Sequence, residues 1–511
     1  MHWTNSPRWV LALAALGLAA CHGSADSEDA DTMADEAGTG DTGTDTGTDD
    51  DCPLSNEPIR RLTQSEYVNT VGTLFPGVNL PMLDPIPDER VDGFIGHNAG
   101  QSASALGVAR YEALAEGIAD AAAGSLDSWA PCSDDSSACA QSIALELGWK
   151  VYRRPLDADE TLALSSFAGD AYGEFGLELG VAVVVEALLQ SPFFLYRPEF
   201  GEPGGAVVTL GDYEMASRLS YFFLDDMPDE ALFAAAAAGE LTSDAGVEAQ
   251  ARRLLADPRA RPILTDFMGE WLRLYELGEL ALDPVVFPEF TPQMQADLEE
   301  SIHRYLDKAL WEDDSWDALM TGSFGFVNDD LAPLYGVAAP GSDAMTLVEL
   351  DPSQRAGVLT QPGLLASTSH GISHSPIYRG VTMLDNILCT PVPAPPPGVL
   401  DETEPLPVPP EELCTTRDYV SKTHTNRAEC EGCHNLIDPA GFVFEHYDAL
   451  GRYRVTENDC PIDASASFPS TVGEVSDDAR KLIDITREAM WLGILEVAPD
   501  KTIGDIGAVI Q

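Results

Sequence analysis

The sequence predicts a mainly α, multi-domain protein, and three observations carry that reading. Apolar residues recur at helical intervals behind capping residues along most of the chain. Strand-like alternation of apolar and polar residues is scarce. At 511 residues with 44% apolar content, the chain is long enough for three or four domains with sizeable cores.

The elements follow in order. Arg8 precedes an apolar stretch from Trp9 to Ala20 that is too short to span a bilayer and ends in Leu18-Ala19-Ala20-Cys21. That ending resembles a bacterial lipobox, so residues 1–20 read as a signal peptide and Cys21 as the lipidated residue. Acyl chains there would hold the protein to a membrane surface without spanning it. Residues 21–51 carry eleven acidic residues and no Lys or Arg. Such a segment cannot bury enough apolar surface to offset its chain entropy, and it reads as a disordered acidic tether.

In residues 52–125, Thr63-Gln-Ser-Glu66 has capping-box spacing ahead of Tyr67, Val68, Val71 and Leu74, and an Ala-rich helix follows from Ser104 to Ala123. In residues 126–205, Pro155 stops a helix holding Trp149, Val151 and Tyr152. Asp157 to Glu160 then opens the next, and Leu177–Leu189 is a nearly continuous apolar helix. Residues 206–337 predict helices at Tyr213–Leu224, Glu230–Ala238, Val247–Leu255, Pro262–Leu277 and Gln293–Trp311. Residues 338–465 predict Ile377–Leu388, then proline-rich stretches at Pro391–Pro397 and Pro405–Pro410 that favour extended chain.

Composition excludes some functions. Lys plus Arg total 28 against 85 Asp plus Glu, a net charge of −57. That charge repels phosphate backbones and argues against nucleic acid as a partner. No apolar run reaches the ~18 residues of a membrane-spanning helix. With 85 carboxylates no single acid–base pair stands out, and no G-x-S-x-G elbow occurs, so hydrolase chemistry has no sequence support and no enzymatic activity is assigned.

Nine cysteines remain to be placed. With Cys21 assigned to lipid and Cys430 and Cys433 forming a C-x-x-C, the even remainder suggests disulfides in an oxidising compartment. Cys132 with Cys139 is a short local pair. Cys389 with Cys414 would staple the proline-rich excursion, which leaves Cys52 with Cys460.

Cys430-Glu431-Gly432-Cys433-His434 is the attachment pattern of c-type haem: two thiols add to the vinyl groups and the His ligates iron. A redox C-x-x-C would need a βαβ context, and a zinc ribbon would need a second C-x-x-C. Pro439 lies where its carbonyl would accept the His434 Nδ1–H, or where it simply ends the helix. Gly441, Gly451, Phe442, Phe444, Tyr447 and Tyr453 would surround the macrocycle, and Arg452 and Arg454 would pair with its propionates. For the sixth iron ligand His370, in a Gly/Ser-rich loop, is preferred over His374, His446, Met383 and Met345. An open sixth position would instead favour ligand binding or peroxide chemistry.

Several stretches together resemble a known family. They are Ile59 to Tyr67, Val151 to Leu156, Glu214 to Phe222 with Met227-Pro228-Asp229, and Asn328 to Gly336. Arg355 to Gln361, Ser375 to Gly380, Cys433 to Pro439 and Gly451 to Tyr453 continue the order. The series resembles a family of secreted bacterial proteins built from consecutive helical domains of unknown function and ending in a cytochrome c-like segment. The resemblance implies export and one covalent haem on Cys430, Cys433 and His434. It implies no substrate.

The C-terminal residues 466–511 look different. Val472 to Arg480, Leu482 to Met490 and Ile503 to Gln511 resemble type I methionine aminopeptidase, and Asp463 to Phe468 resembles a loop bearing one metal-ligating Asp of that enzyme. The partner Asp is replaced by Arg452, and no later ligands follow. One carboxylate cannot hold a dinuclear centre, so the fragment is expected to lack aminopeptidase activity. Its Ser476-capped helix was shaped for another core, which makes Met490 a poor haem ligand. The sequence therefore predicts an exported, lipid-anchored monohaem protein of the cell envelope, at the outer membrane or facing the periplasm, with an unidentified redox partner. The alternative is a non-enzymatic surface binding protein in which the C-x-x-C is structural.

Overall fold

In a computed structural model, residues 59–465 are described, apart from 92, 98, 99, 102, 103, 202–208, 314, 394–413 and 424–427. The lipobox with Cys21, the acidic tether, Cys52, most of the proline-rich stretch and the aminopeptidase-like tail lie outside the described residues. Helices dominate, and the described strands form only two-stranded ladders of two to four residues each. The chain divides into two compact units, at Trp271–Leu272. Among the described residues no helix is long and apolar enough to cross a membrane.

The first unit contains α1 (Gln64–Leu74), α2 (Ala105–Ala123), α3 (Ser137–Tyr152), α4 (Ala158–Leu189), α5 (Asp212–Leu224), α6 (Glu230–Ala237), α7 (Asp244–Leu255) and α8 (Ala260–Trp271). Its short strands β1 (Arg60–Arg61) and β2 (Tyr196–Arg197) pair antiparallel. The expected capping box at Thr63 is formed, and a second one opens the helix at Asp157. Glu66 N–H donates to Thr63 Oγ1 at 3.2 Å while Thr63 N–H donates to Glu66 Oε2 at 2.8 Å, and Asp157 and Glu160 exchange the same two bonds. Gly176, with φ 75° and ψ −174°, breaks α4 just before the apolar run that begins at Leu177. That run supplies Val181, Val185 and Leu189 to a core shared with Tyr67, Ile118 and Ile143. A second core gathers Leu219, Leu224, Leu232, Leu241 and Leu254.

The paired arginines of the Val151–Leu156 stretch are structural. Arg153 is buried, and its guanidinium donates to the carbonyls of Phe193 at 2.7 Å and Tyr196 at 2.6 Å. Arg154 makes a two-pronged pair with Glu160, 2.8 and 2.7 Å.

The single helix expected over Pro262–Leu277 is two. Arg273 takes a left-handed conformation, φ 55°, between α8 and the short helix Tyr275–Glu279. Expected helices over Gln293–Trp311 and Ile377–Leu388 each end in a wider turn, after α9 (Pro292–Asp307) and after α11 (Pro376–Thr382).

In the second unit, β3 (Phe324–Val327) pairs with β4 (Thr346–Glu349). α9 packs on β3 and on α10 (Pro362–Ser367), with Leu298, Val327, Leu331, Leu334, Ala366 and Leu450 at the centre. A tight hairpin, β5 (Ser369–His370) and β6 (Ser373–His374), leads into α11. α12 (Thr416–Thr423) and α13 (Ala428–Phe442) follow, and β7 (Thr456–Glu457) and β8 (Cys460–Pro461) close the described chain.

Among the described residues the disulfides are Cys132–Cys139 and Cys414–Cys460, with Cα atoms 5.8 and 6.0 Å apart. The expected Cys389–Cys414 bridge is therefore absent: Cys389 is a free, exposed thiol, and Cys460 is not available to Cys52. The cause is the β7–β8 hairpin. Asn458 and Asp459 both have positive φ, as a two-residue hairpin turn requires, and this doubles the chain back at Cys460. Asn458 then donates to the Cys414 carbonyl at 3.1 Å, and the Thr416 amide donates to Glu457 at 2.7 Å. Peptide mapping of exported protein should recover Cys414 linked to Cys460 and find Cys389 alkylated before any reduction; a Cys389–Cys414 peptide would refute this pairing.

Candidate functional site

The C-x-x-C-H pentapeptide occupies the start of α13. Cys430 and Cys433, one helical turn apart, are both unbridged, the first half-buried and the second exposed. A Cβ added to the intervening Gly432 would meet nothing within 4 Å, so this turn faces open space. Leu436, a turn beyond Cys433, is 36% exposed, an apolar side chain left beside the thiols.

The opposite side of α13 is locked. Ile437 and Ala440 form a small core with Leu384. α11 and α13 cross where two glycines meet backbone: a Cβ on Gly380 would stand 3.0 Å from Ile437 Cγ2, and one on Gly441 would stand 2.6 Å from the Pro376 carbonyl carbon. Only hydrogen fits at both positions, which sets the helix that carries the motif.

The His434 imidazole is held by Asp438, not by the Pro439 carbonyl. Nδ1–H donates to Asp438 Oδ1 at 2.8 Å, and the carboxylate is almost fully buried. Pro439 neither ends the helix nor accepts that bond; α13 runs on to Phe442. The i, i+4 spacing of His434 and Asp438 places them on one face, so the helix itself builds the contact.

The remaining expected site residues have other duties. Arg452 pairs with Glu289 and lies 3.8 Å from Asp448, and Arg454 pairs with Glu457 at 3.0 Å. Both guanidiniums are thus committed to carboxylates of the protein, against the expectation that they serve propionates. Tyr447 is buried with its hydroxyl donating to the Gln354 carbonyl, and Phe442 lies beneath Arg417, 4.6 Å from its ring centre. Gly451, at φ 75°, presses against Pro362. Tyr453 tilts against the His446 ring at 5.2 Å.

His370 is exposed, on β5, with its ring parallel to that of Tyr378 at 6.4 Å. His374 is buried and fully engaged. Arg454 donates to its Nδ1 at 3.1 Å, so its Nε2–H donates to Glu445 at 3.2 Å. His446 donates from Nδ1 to the Arg454 carbonyl at 2.8 Å. Met345 is buried in the core of β3 and β4, and Met383 lines a small cavity of about 20 Å³ with Arg379 and Phe444.

Sequence reasoning missed Asp438 as a partner of His434, and it missed the two buried arginines that shape the loop after α13. Arg379 donates to the carbonyls of Tyr447 and Asp448, each at 2.8 Å, and of Leu365 at 3.1 Å. Burial lowers its pKa to about 10. Arg355 donates to Leu334 and Thr360 carbonyls at 2.7 and 2.6 Å and to that of Gly451 at 2.5 Å.

The donor set fits a covalent haem. Two unbridged thiols lie a turn apart on an open surface, and the following imidazole uses Nδ1 for Asp438, whereas Nε2 is the atom that ligates iron in this motif. In the first unit, an open apolar cleft of about 540 Å³ between Trp149, Tyr213 and Phe233 offers no comparable constellation of chemical groups.

Four family models match in tandem. They are PSD3 (protein of unknown function, DUF1587) at 60–124, PSD5 (DUF1595) at 139–199, PSD4 (DUF1592) at 210–337 and PSCyt3 (DUF1588) at 355–457. The last, whose name is cytochrome-like, encloses the pentapeptide. A stretch of 49 residues is 53% identical to methionine aminopeptidase B of a Synechocystis strain. It covers 10% of this chain, which spans only 17% of that relative's length. No solved structure matches.

Proposed function

Because the chain belongs to the proteins that carry these four domains of unknown function in tandem, over about seven tenths of its length, we propose that it is a monohaem c-type cytochrome serving electron transfer at the cell surface. The observation that carries this reading is the unbridged Cys430 and Cys433 with His434, half-buried to exposed at the start of a packed helix inside the cytochrome-like domain. Cys430 and Cys433 would hold the haem through thioethers and His434 would ligate its iron. Covalent haem supplies one-electron oxidation and reduction. Around it this chain's residues position the imidazole, and the crossing of α11 with α13 fixes the helix. His374 is spent on Glu445 and Arg454, so His370 and His446 are the imidazoles among the named candidates that suit the sixth position.

The remaining parts of the reading rest on the sequence. Lipid on Cys21 anchors the chain to an envelope membrane, the acidic tether lifts it off the surface, and a redox protein is its partner. The unbridged thiols count against a purely structural C-x-x-C.

The test is intact mass and visible spectrum after export with haem-maturation factors. Wild-type protein should gain the mass of one haem and absorb in the visible, and the double variant Cys430→Ser, Cys433→Ser should lose both. Colourless wild-type protein, with both motif thiols open to alkylation, would overturn the proposal.

A further inference from the structure

The Asp438–His434 contact has a consequence for the iron that neither the motif nor the family models assign. We propose that Asp438 is a positioning residue that gives the proximal imidazole anionic character, so that the site is a low-potential one that favours ferric iron. This rests on the proposed haem attachment and deepens it.

Three observations support it. The acceptor at Nδ1 is a carboxylate, 2.8 Å away, rather than a neutral carbonyl. A carboxylate draws the Nδ1 proton more strongly, which makes the opposite ring nitrogen a better donor to a metal. Second, Asp438 is 3% exposed, so water screens its charge little. Ferric iron carries one more positive charge than ferrous, and a buried negative charge behind its ligand stabilises the ferric state more. Third, the contact is rigid. Both residues lie on one helix at i, i+4, flanked by Ile437 and Ala440 in the core and by the Gly380–Gly441 crossing. The packed helix therefore holds the Asp438 carboxylate in place beside the imidazole.

A low potential also defines the class of partner: the protein would pass electrons to acceptors of higher potential and accept them only from strong reductants. No proton or bond changes hands in that step; iron gains or loses one electron.

The experiment compares wild type, Asp438→Asn and Asp438→Ala. Intact mass first reports haem attachment. If wild type carries none, the proposed function fails and this inference falls with it. With haem attached to wild type and Asp438→Asn, redox titration should show the ferrous-to-ferric ratio at fixed ambient potential rising at least tenfold in the variant, about 59 mV for one electron. A midpoint unchanged within twofold of that ratio overturns the inference while leaving haem attachment intact. The haem-free chain gives an independent reading if a variant does not load. Nitrogen-15 shifts of His434 should report the Nδ1–H tautomer in wild type and its loss in Asp438→Ala. An unchanged tautomer there refutes the role.

Discussion

Substituting Gly441 by alanine should destabilise the second unit by about 3 kcal/mol or more, the larger end of what overpacking costs. The added methyl would stand 2.6 Å from the Pro376 carbonyl carbon and 3.1 Å from its Cα, and still closer to the carbonyl oxygen. A crowded side chain can turn to another rotamer, but Pro376 is backbone at the first position of α11, and only movement of a helix relieves the clash. Gly380 faces α13 from the other side of the same crossing, so neither helix has slack to give. For a unit of this size the loss corresponds to roughly 6–12 °C in Tm. Gly432→Ala provides the contrast. Its new methyl meets nothing within 4 Å, and in a helix Ala is favoured over Gly by up to about 1 kcal/mol. Thermal unfolding followed by circular dichroism should therefore separate two Gly→Ala changes in one helix by several degrees with opposite sign. Equal Tm values for both variants would mean that α11 and α13 do not cross through these glycines.

The parts of this structure that were legible in the sequence are those encoded over a few residues. Thr63 with Glu66 and Asp157 with Glu160 close their capping boxes because the spacing alone brings donor to acceptor. Cys132 and Cys139 bridge across a short local loop. The C-x-x-C-H pentapeptide is also local, and the family series was readable from motif order. What could not be read depends on distant segments. Nothing near Arg452 in sequence announces Glu289, 163 residues away, as its partner. Arg355 and Arg379 look like functional motif residues until their carbonyl partners are seen. The hairpin turn at Asn458 and Asp459 looks like ordinary polar loop, yet it decides which cysteine meets Cys414. Asp438 is the instructive case. Its i, i+4 relation to His434 was visible, but only if α13 was taken to continue through Pro439. The sequence offers two roles for Pro439, a carbonyl acceptor or a helix stop, and neither holds, because α13 runs on to Phe442 and Asp438 takes the bond.

Acidification from pH 8 to pH 5 should make the first unit more stable, not less. Asp225 sits at the C-terminal end of α5, where burial, with the nearby charges of Glu66 and Asp226, pushes its carboxyl up to about 7; the Ser65 hydroxyl and Arg197 oppose that shift without overcoming it. The folded state therefore holds this proton more tightly than the unfolded chain, whose carboxyl titrates near 3.8. For an acid shifted upward, the stabilising contribution is present at low pH and is lost as pH rises from about 4 to about 7. A shift of about three units corresponds to an upper bound on the order of 4 kcal/mol. Burial also raises the carboxyls of Asp88, Asp226, Glu186 and Glu270, with the same sign. Asp229 and Asp257 are held low by Arg253 and Arg259, and their contribution is lost only as pH falls below the ordinary range. Self-repulsion within a chain of net charge −57 relaxes in the same direction as the Asp225 term. Asp225→Asn isolates that term, because Asn tolerates the left-handed backbone at φ 54° and keeps an acceptor for Asn69. The variant should exceed wild type in Tm at pH 8, by a margin that narrows as pH falls and closes only towards pH 4, and should show a shallower slope between. Parallel pH profiles for the two proteins would show that Asp225 ionises as freely in the folded state as in the unfolded one.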